Sequence, residues 1–495
     1  MEARGIPRTN SSRWISWILI LMTQCLLAYA VILYPSYALV LFIVSLFVLS
    51  LFFYPELSYF LFLLSSMCHL FQFQVSSAHS VPPRMWRIDI VPMDIVALRA
   101  LLPNVLVVIA SLVWGFARMA KARPPYPKTA LDLPALFFFL WFVMTLFWTP
   151  DLSTGLVVLF SIICCYLGFV LSVTVIRTKK ILHIAVWLLI CVGLMNAAVA
   201  AYSLHGDPVW KEFYRSENVS LYFSFIHMAR TRGMGFIYSP MTAYLLNVAI
   251  LLAVTIFLVT TSLKKRWILA LMIFFMAYGH MTTISKGGTL GLLVGLFFMA
   301  AACRPLRKHL LFSSAMIITI LMISMILVYG TWPWPEKAQL LHGRQSMAPR
   351  YLIWGAGFEE FLGTYGFGFG GGAFFPAHSI YLQILYELGI PGLMFWLWLL
   401  FKLFCSVRDV LLKKWVEPYY RTMILGFSAA MISVLTVSLA DSYYSEETMW
   451  TLLGIGMAIV NLANSSACAG QQKVDTILVP LDTGKGGKPI AFSHA

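Results

Sequence analysis

Charge is scarce in this 495-residue sequence. Asp, Glu, Lys and Arg together make up 11% of it and hydrophobic residues 60%, whereas soluble globular chains carry about 25% charged residues. That balance excludes a soluble globular domain as the bulk of the protein. Cysteine is uninformative in pattern. The eight cysteines lie within or beside apolar runs, with no Cys-x-x-Cys pair, so no disulfide framework is expected. There is no His-Glu-x-x-His, and no Asp-x-Asp pair in the loops assigned below to the outer face, so no metal site is expected. The run GFGFGGG is not followed by Gly-Lys-Ser/Thr, and TGKGGK near the C-terminus lacks the strand and helix of a phosphate-binding loop. No nucleotide or other cofactor is called for, and no internal repeat is visible.

Long apolar runs take the place of charge. A transmembrane helix needs roughly 17–25 apolar residues, and about 14 runs of suitable length and apolarity occur. They fall near residues 14–33, 37–54, 57–73, 96–117, 132–149, 153–175, 181–203, 239–262, 267–284, 287–303, 310–330, 379–404, 420–440 and 447–463. The first, WISWILILMTQCLLAYAVIL, is too long for a signal-peptide core and is read as a retained span. The expected fold is all-α, a polytopic transmembrane helical bundle of about 12–14 spans, with an outer loop bearing short helices. Residues 1–463 form one membrane domain, and 464–495, rich in Ser, Gly, Lys and Thr, a cytoplasmic and mostly disordered tail.

The net charge of +15 is distributed in short clusters between apolar runs. That is orientation information and not a nucleic-acid footprint. With Arg4, Arg8 and Arg13 inside, the clusters at 118–128, 177–180, 264–266, 304–308 and 408–421 all fall on the cytoplasmic side. The short loops near Tyr34, Asp151 and Asp441 carry no Lys or Arg, as the positive-inside rule requires. Both termini are then cytoplasmic. Three outer loops, 74–95, 204–238 and 331–377, carry basic residues against this trend, which makes them candidates for binding an anion.

Four stretches converge on that outer face. They are ARTRGMGFIYSP before the span at 239, TTISKGG at the turn near 286, GRQSMAPRYLIWGAGFEEF with GFGFGGG, and AHSIYLQILYELGIPG. Each places a cation or an imidazole at the membrane surface: Arg232, Lys286, Arg350 and His378. The plainer readings are an interfacial histidine, headgroup anchors for the two arginines and a turn residue for Lys286. Arg230 and Arg344 are read as solvated, and Arg84, Arg87 and Asp89 identify no acceptor site.

In order and content these stretches resemble the O-antigen ligase and O-antigen polymerase superfamily of bacterial inner-membrane proteins. The matching positions are Arg232 with Gly235, Ser285-Lys286-Gly287, Arg350 with Trp354, the run Gly366, Gly368 and Gly370, and His378-Ser379 with Leu382, Glu387, Gly389 and Gly392. The resemblance covers about residues 230–400. It departs at Lys286, where Arg is usual, at Ser239-Pro240-Met241, where Pro-Asn is common, and at His378-Ser379, where His-Asn is commoner. It implies inverting, metal-independent transfer of a glycan from an undecaprenyl-pyrophosphate carrier to a glycan, lipid or protein hydroxyl on the periplasmic side of the inner membrane.

The residues suit that chemistry. Displacing a sugar from pyrophosphate builds negative charge on the leaving group, which arginine and lysine can stabilise. A histidine can serve as base to, or orient, an acceptor hydroxyl. Hence His378 is the catalytic candidate, with Arg232, Arg350 and Lys286 as pyrophosphate contacts. Gly366, Gly368 and Gly370 shape a loop passing close to a ligand. Glu387 lies nine residues beyond His378 on the far side of the helix. It is read with Trp354, Gly389 and Gly392 as structural, a membrane carboxylate paired with another helix. The segment 389–392 kinks that helix, because Pro391 lacks an amide donor. The reading leans to a ligase or O-glycosylation ligase, with a polysaccharide polymerase as the alternative. A lipid-linked sugar transporter or flippase, or a non-catalytic scaffold, are the rivals from other classes. The transporter reading is disfavoured because the unusual cations collect at one face and no half-repeat appears.

Overall fold

The computed structural model describes residues 55–68, 93–119, 125–205, 239–302, 348–373, 377–413, 415–440 and 447–478. The described residues form twelve helices and no strand. They are α1 (Pro55–Cys68), α2 (Met93–Met119), α3 (Asp132–Thr145), α4 (Leu152–Val175), α5 (Lys179–His205), α6 (Ser239–Val259), α7 (Leu263–Thr282), α8 (Lys286–Ala302), α9 (Ala348–Leu362), α10 (Ile380–Leu412), α11 (Pro418–Val437) and α12 (Glu447–Leu478).

Eleven of these coincide with an expected span. The expected spans at 14–33, 37–54 and 310–330 lie outside the described residues, as do Arg84, Arg87, Asp89, Arg230, Arg232 and Arg344. Six helices, α4, α5, α6, α10, α11 and α12, are long and apolar enough to cross a membrane. Segments of α1, α2, α3 and α8 are apolar but shorter. The chain is a multi-pass helical membrane protein. α12 continues past residue 464, where the sequence reading begins the tail, as far as Leu478.

Boundaries follow local chemistry. Asp151 caps α4, accepting from the amide of Thr154 at 3.1 Å; Pro418 sits in the first turn of α11, where a missing amide is harmless. α6 is the most enclosed span and packs against α5, α7, α8 and α11. Small residues permit these approaches, as is usual when lipid supplies no hydrophobic force between helices. Gly193 of α5 meets Ala249 of α6, Gly279 of α7 meets Ala197 of α5, and Gly426 of α11 meets Thr255 of α6. α4 packs along α12, and α3 along α10.

The bundle has two chemically different ends. At one, Lys179 pairs with Glu417 and lies 4.3 Å from the Tyr419 ring centroid. There too, Lys413 donates to Asn464 at 2.7 Å and Arg177 to the Pro125 carbonyl at 2.6 Å. The opposite end holds the turns between α3 and α4 and between α7 and α8, and the start of α10.

Candidate functional site

α10 is two helices joined at Gly389, whose φ of +71° and ψ of −171° are not helical. Two residues on, Pro391 has no amide to donate. The amide of Ile390 leaves the helix and donates to the Gly366 carbonyl at 2.8 Å. The carbonyls before the break are satisfied from outside. Phe369 donates its amide to Tyr386 at 2.8 Å, Gly370 to Glu387 at 2.9 Å, and the Trp141 indole to Leu388 at 2.7 Å. The kink expected at 389–392 is therefore a break, and the glycine run supplies the missing bonds.

That run is held in turn by the α3–α4 connection. Trp148 donates to the Gly368 carbonyl at 3.1 Å, the amide of Gly371 donates to the Thr145 hydroxyl at 3.1 Å, and the Thr149 hydroxyl donates to the Gly371 carbonyl at 3.3 Å. Gly366, Gly368, Gly370 and Gly372 all have positive φ. A Cβ on Gly368 would stand 2.5 Å from the amide nitrogen of Gly389, and one on Gly370 would stand 2.5 Å from the Thr149 Cα. The close approach these glycines make is to the protein's own backbone. Gly392 turns away from the break with room for no side chain, since a Cβ there would lie 2.3 Å from that of Leu388.

Glu387 is buried, and its carboxylate is held from its own helix and the loop before it. It accepts from the Gly372 amide at 3.1 Å and from the side-chain amide of Gln383, one turn earlier on α10. Gln383 in turn accepts from the Ala377 amide at 2.6 Å. Ala377, Gln383, Glu387 and Gly372 thus form one polar chain that ties both ends of the loop before α10 to the helix itself. Trp354 of α9 closes it from the other side. Its indole donates to the Ala377 carbonyl at 2.6 Å, and its own carbonyl accepts from the Tyr386 hydroxyl at 2.9 Å.

The next residue is His378, half-buried with φ +49°, followed by Ser379 as the helix N-cap. The first amide of α10, on Ile380, donates to the Ser438 carbonyl at the end of α11 at 2.9 Å. The Tyr381 hydroxyl donates to Leu435 at 3.3 Å. The start of α8 meets the same end of α11, where a Cβ on Gly287 would lie 3.4 Å from that of Ala440. Ser285 caps α8 by accepting from the Gly288 amide at 3.1 Å, and Lys286 follows it, exposed. The second and third turns of α6 pack against the start of α8. Asn247 donates to the Gly288 carbonyl at 2.8 Å, and Ala243 packs against Gly288. Two helix N-termini, those of α8 and α10, therefore meet at the end of α11, with α6 packed against the first turn of α8. Each brings the positive end of a helix dipole, an arrangement that favours an anion.

Of the expected site residues, His378 and Lys286 both lie at this end, at the starts of α10 and α8. Arg350 lies in the first turn of α9, its side chain outside the described set, and Arg232 lies outside it altogether. Among the described residues no three His, Cys, Asp or Glu side chains are grouped to hold a metal ion. Sequence reasoning did not find Trp141, Thr145, Trp148 or Gln383. Their signal, polar-tipped residues in a stretch otherwise apolar, is indistinct from an ordinary interfacial span.

Residues 271–397 match the family model described as O-antigen ligase. The match supports a likeness to the O-antigen ligase superfamily and covers about a quarter of the chain. It runs from within α7 into the second half of α10, and so includes Lys286, Arg350, Trp354, the glycine run, His378 and Glu387. No curated protein matches the chain. The match supports a membrane enzyme of the ligase or polymerase type, acting on glycans.

Proposed function

We propose that this protein transfers a glycan from an undecaprenyl-pyrophosphate carrier to an acceptor hydroxyl at the periplasmic face of the bacterial inner membrane. It acts as an O-antigen ligase or O-glycosylation ligase, by an inverting reaction that needs no metal. The observation that carries the reading is the shared anchorage of two helix starts. The helix led by His378 and the helix led by Lys286 both abut the last residues of α11. This shared anchorage supports a site in which His378 is the base or orienting group and Lys286 a cation, beside the N-termini of α10 and α8.

The acceptor oxygen attacks the anomeric carbon from the side opposite the pyrophosphate, and the bond from that carbon to the phosphate oxygen breaks. The polyprenyl pyrophosphate leaves with the electron pair. His378 receives the hydrogen bond of the acceptor hydroxyl and, with it, the proton. Lys286, Arg350 and Arg232 take the charge that grows on the leaving group, where one such contact lowers a barrier by roughly 3–4 kcal/mol. The basic clusters at the far end of the bundle orient that end to the cytoplasm.

Transfer in proteoliposomes tests this, with a lipid-pyrophosphate-linked glycan, EDTA throughout, and His378→Ala beside wild type. Product from wild type under chelation, absent from a folded His378→Ala, is the expected result. A single addition marks a ligase, and a ladder of lengths marks the polymerase alternative. Equal product from both proteins overturns the role of His378. Movement of lipid-linked sugar across the bilayer without transfer would make the protein a flippase.

A further inference from the structure

The turn between α7 and α8 rests on a buried side chain that the chemistry above does not use. Ile284 in this turn has φ +52°, a left-handed conformation that β-branched residues rarely adopt. The turn closes on the main chain of His280: the Thr283 amide and hydroxyl both donate to the His280 carbonyl, at 3.1 and 2.7 Å. The imidazole of His280 is fully buried, and among the described residues its polar contact is a weak one with the Gly288 main chain, short of a well-formed hydrogen bond at either ring nitrogen. The ring lies by the backbone of Gly288. From α6, the fully buried Asn247 donates to the Gly288 carbonyl at 2.8 Å, while its own side-chain oxygen has no partner among the described residues. Two under-satisfied polar side chains from two helices therefore converge on one residue, two places beyond Lys286. An apolar residue of the same shape would fill this space without an unmet hydrogen-bonding demand, so packing alone does not account for these residue types.

We propose that His280 is a positioning residue. Together with Asn247 it sets the first turn of α8 at Gly288, and so fixes where Lys286 and the amides of that turn meet the anionic donor. The inference rests on the reading of Lys286 as a donor contact.

The test uses the full chain in proteoliposomes, with kcat and KM for a lipid-pyrophosphate-linked glycan and thermal unfolding in detergent measured side by side. The variants are His280→Phe, His280→Gln, Lys286→Met and the double variant His280→Phe/Lys286→Met. We expect His280→Phe to unfold within a few degrees of wild type while raising donor KM about tenfold, with a smaller effect on kcat, as loss of binding geometry requires. His280→Gln, which keeps a side-chain donor, should recover most of that loss. In the Lys286→Met background His280→Phe should add little, because residues acting as one unit are not additive. A purely structural His280 would give losses that follow the unfolding temperature and multiply with those of Lys286→Met, and either result overturns the inference. Unchanged KM in His280→Phe beside a raised KM in Lys286→Met overturns it while sparing the role of Lys286. Unchanged KM in Lys286→Met overturns that role and the inference with it. If His280→Phe does not fold, Asn247→Ala must show the same KM rise and the same non-additivity, and additivity there is equally decisive against it.

Discussion

Gly370 donates its amide to the main-chain carbonyl of Glu387 at 2.9 Å, the bond that Pro391 cannot make. A buried carbonyl left unsatisfied costs about 1–3 kcal/mol, and irregular backbone at membrane depth persists only where protein meets its polar groups. The glycine run is thus a fitted substitute for a missing helical turn. It also fixes the loop whose far end carries His378.

Gly370→Ala should be severely destabilising. A methyl group there collides with the backbone of Thr149 at 2.5 Å, and the φ of +102° is one that only glycine adopts readily. Gly355 provides the contrast. It lies in α9, and a methyl group added there would meet nothing within 4 Å, so Gly355→Ala should be neutral or gain about 0.5–1 kcal/mol from helix propensity. Thermal unfolding of the two variants in detergent would separate them, and equal midpoints would mean that the run is not docked as described.

Glu387→Ala should leave the Gly372 amide and the Gln383 side chain without their acceptor, a loss of roughly 1–3 kcal/mol. Glu387→Gln keeps the shape and one acceptor oxygen but cannot satisfy both donors, so it should fall between alanine and wild type. Transfer activity should decline in the same order, since the loop leading to His378 loosens with its anchor. Should Glu387→Gln retain full stability yet lose transfer altogether, the carboxylate would have a chemical role that its hydrogen bonds do not indicate.

Much of this was legible in the sequence, because a run of apolar residues long enough to span a bilayer has few alternatives to a helix. Eleven helices fall where apolar length puts them, and the motif residues Glu387 and Gly389 lie in one helix that His378 immediately precedes. The partners were not legible. A lipid-facing leucine and a packed leucine are equally apolar, so periodicity did not reveal that α3 lies along α10 or that Trp141 addresses Leu388. The spacing of the glycines announced tight backbone but not which backbone they approach. For Glu387, a nearby amide in its own preceding loop and the Gln383 side chain one turn earlier were not legible as partners. His280 is silent in sequence because only burial makes its poorly satisfied ring nitrogens unusual.

Trp354→Phe should damage transfer more than stability. The indole donates to the carbonyl of Ala377 at 2.6 Å, one residue before His378, and the ring's packing is largely kept by phenylalanine. Loss of one hydrogen bond costs about 1 kcal/mol of stability, whereas a misplacement of about 1 Å at a reacting group can cost about a hundredfold in rate. Comparing the unfolding midpoint with single-turnover transfer would resolve the two. Proportionate losses would assign Trp354 to packing alone.

Lys286 offers the most direct probe of charge at the site. Lys286→Met removes the cation from the first turn of α8 while leaving the Ser285 cap and the Gly288 amide in place. If the lysine stabilises the departing pyrophosphate, transfer should fall by about a hundred- to a thousandfold, the range seen when one preorganised donor is lost. Lys286→Arg should hold or exceed wild-type activity, because a guanidinium can grip phosphate with two parallel hydrogen bonds where an ammonium acts as a point charge. Salt separates this from a general surface field. A contact at the reacting group persists at high ionic strength, whereas long-range attraction is screened within about 10 Å at 0.1 M. If the ratio of wild-type to Lys286→Met activity collapsed towards one as salt rose, Lys286 would be steering the donor from a distance and the leaving group would find its counter-charge elsewhere.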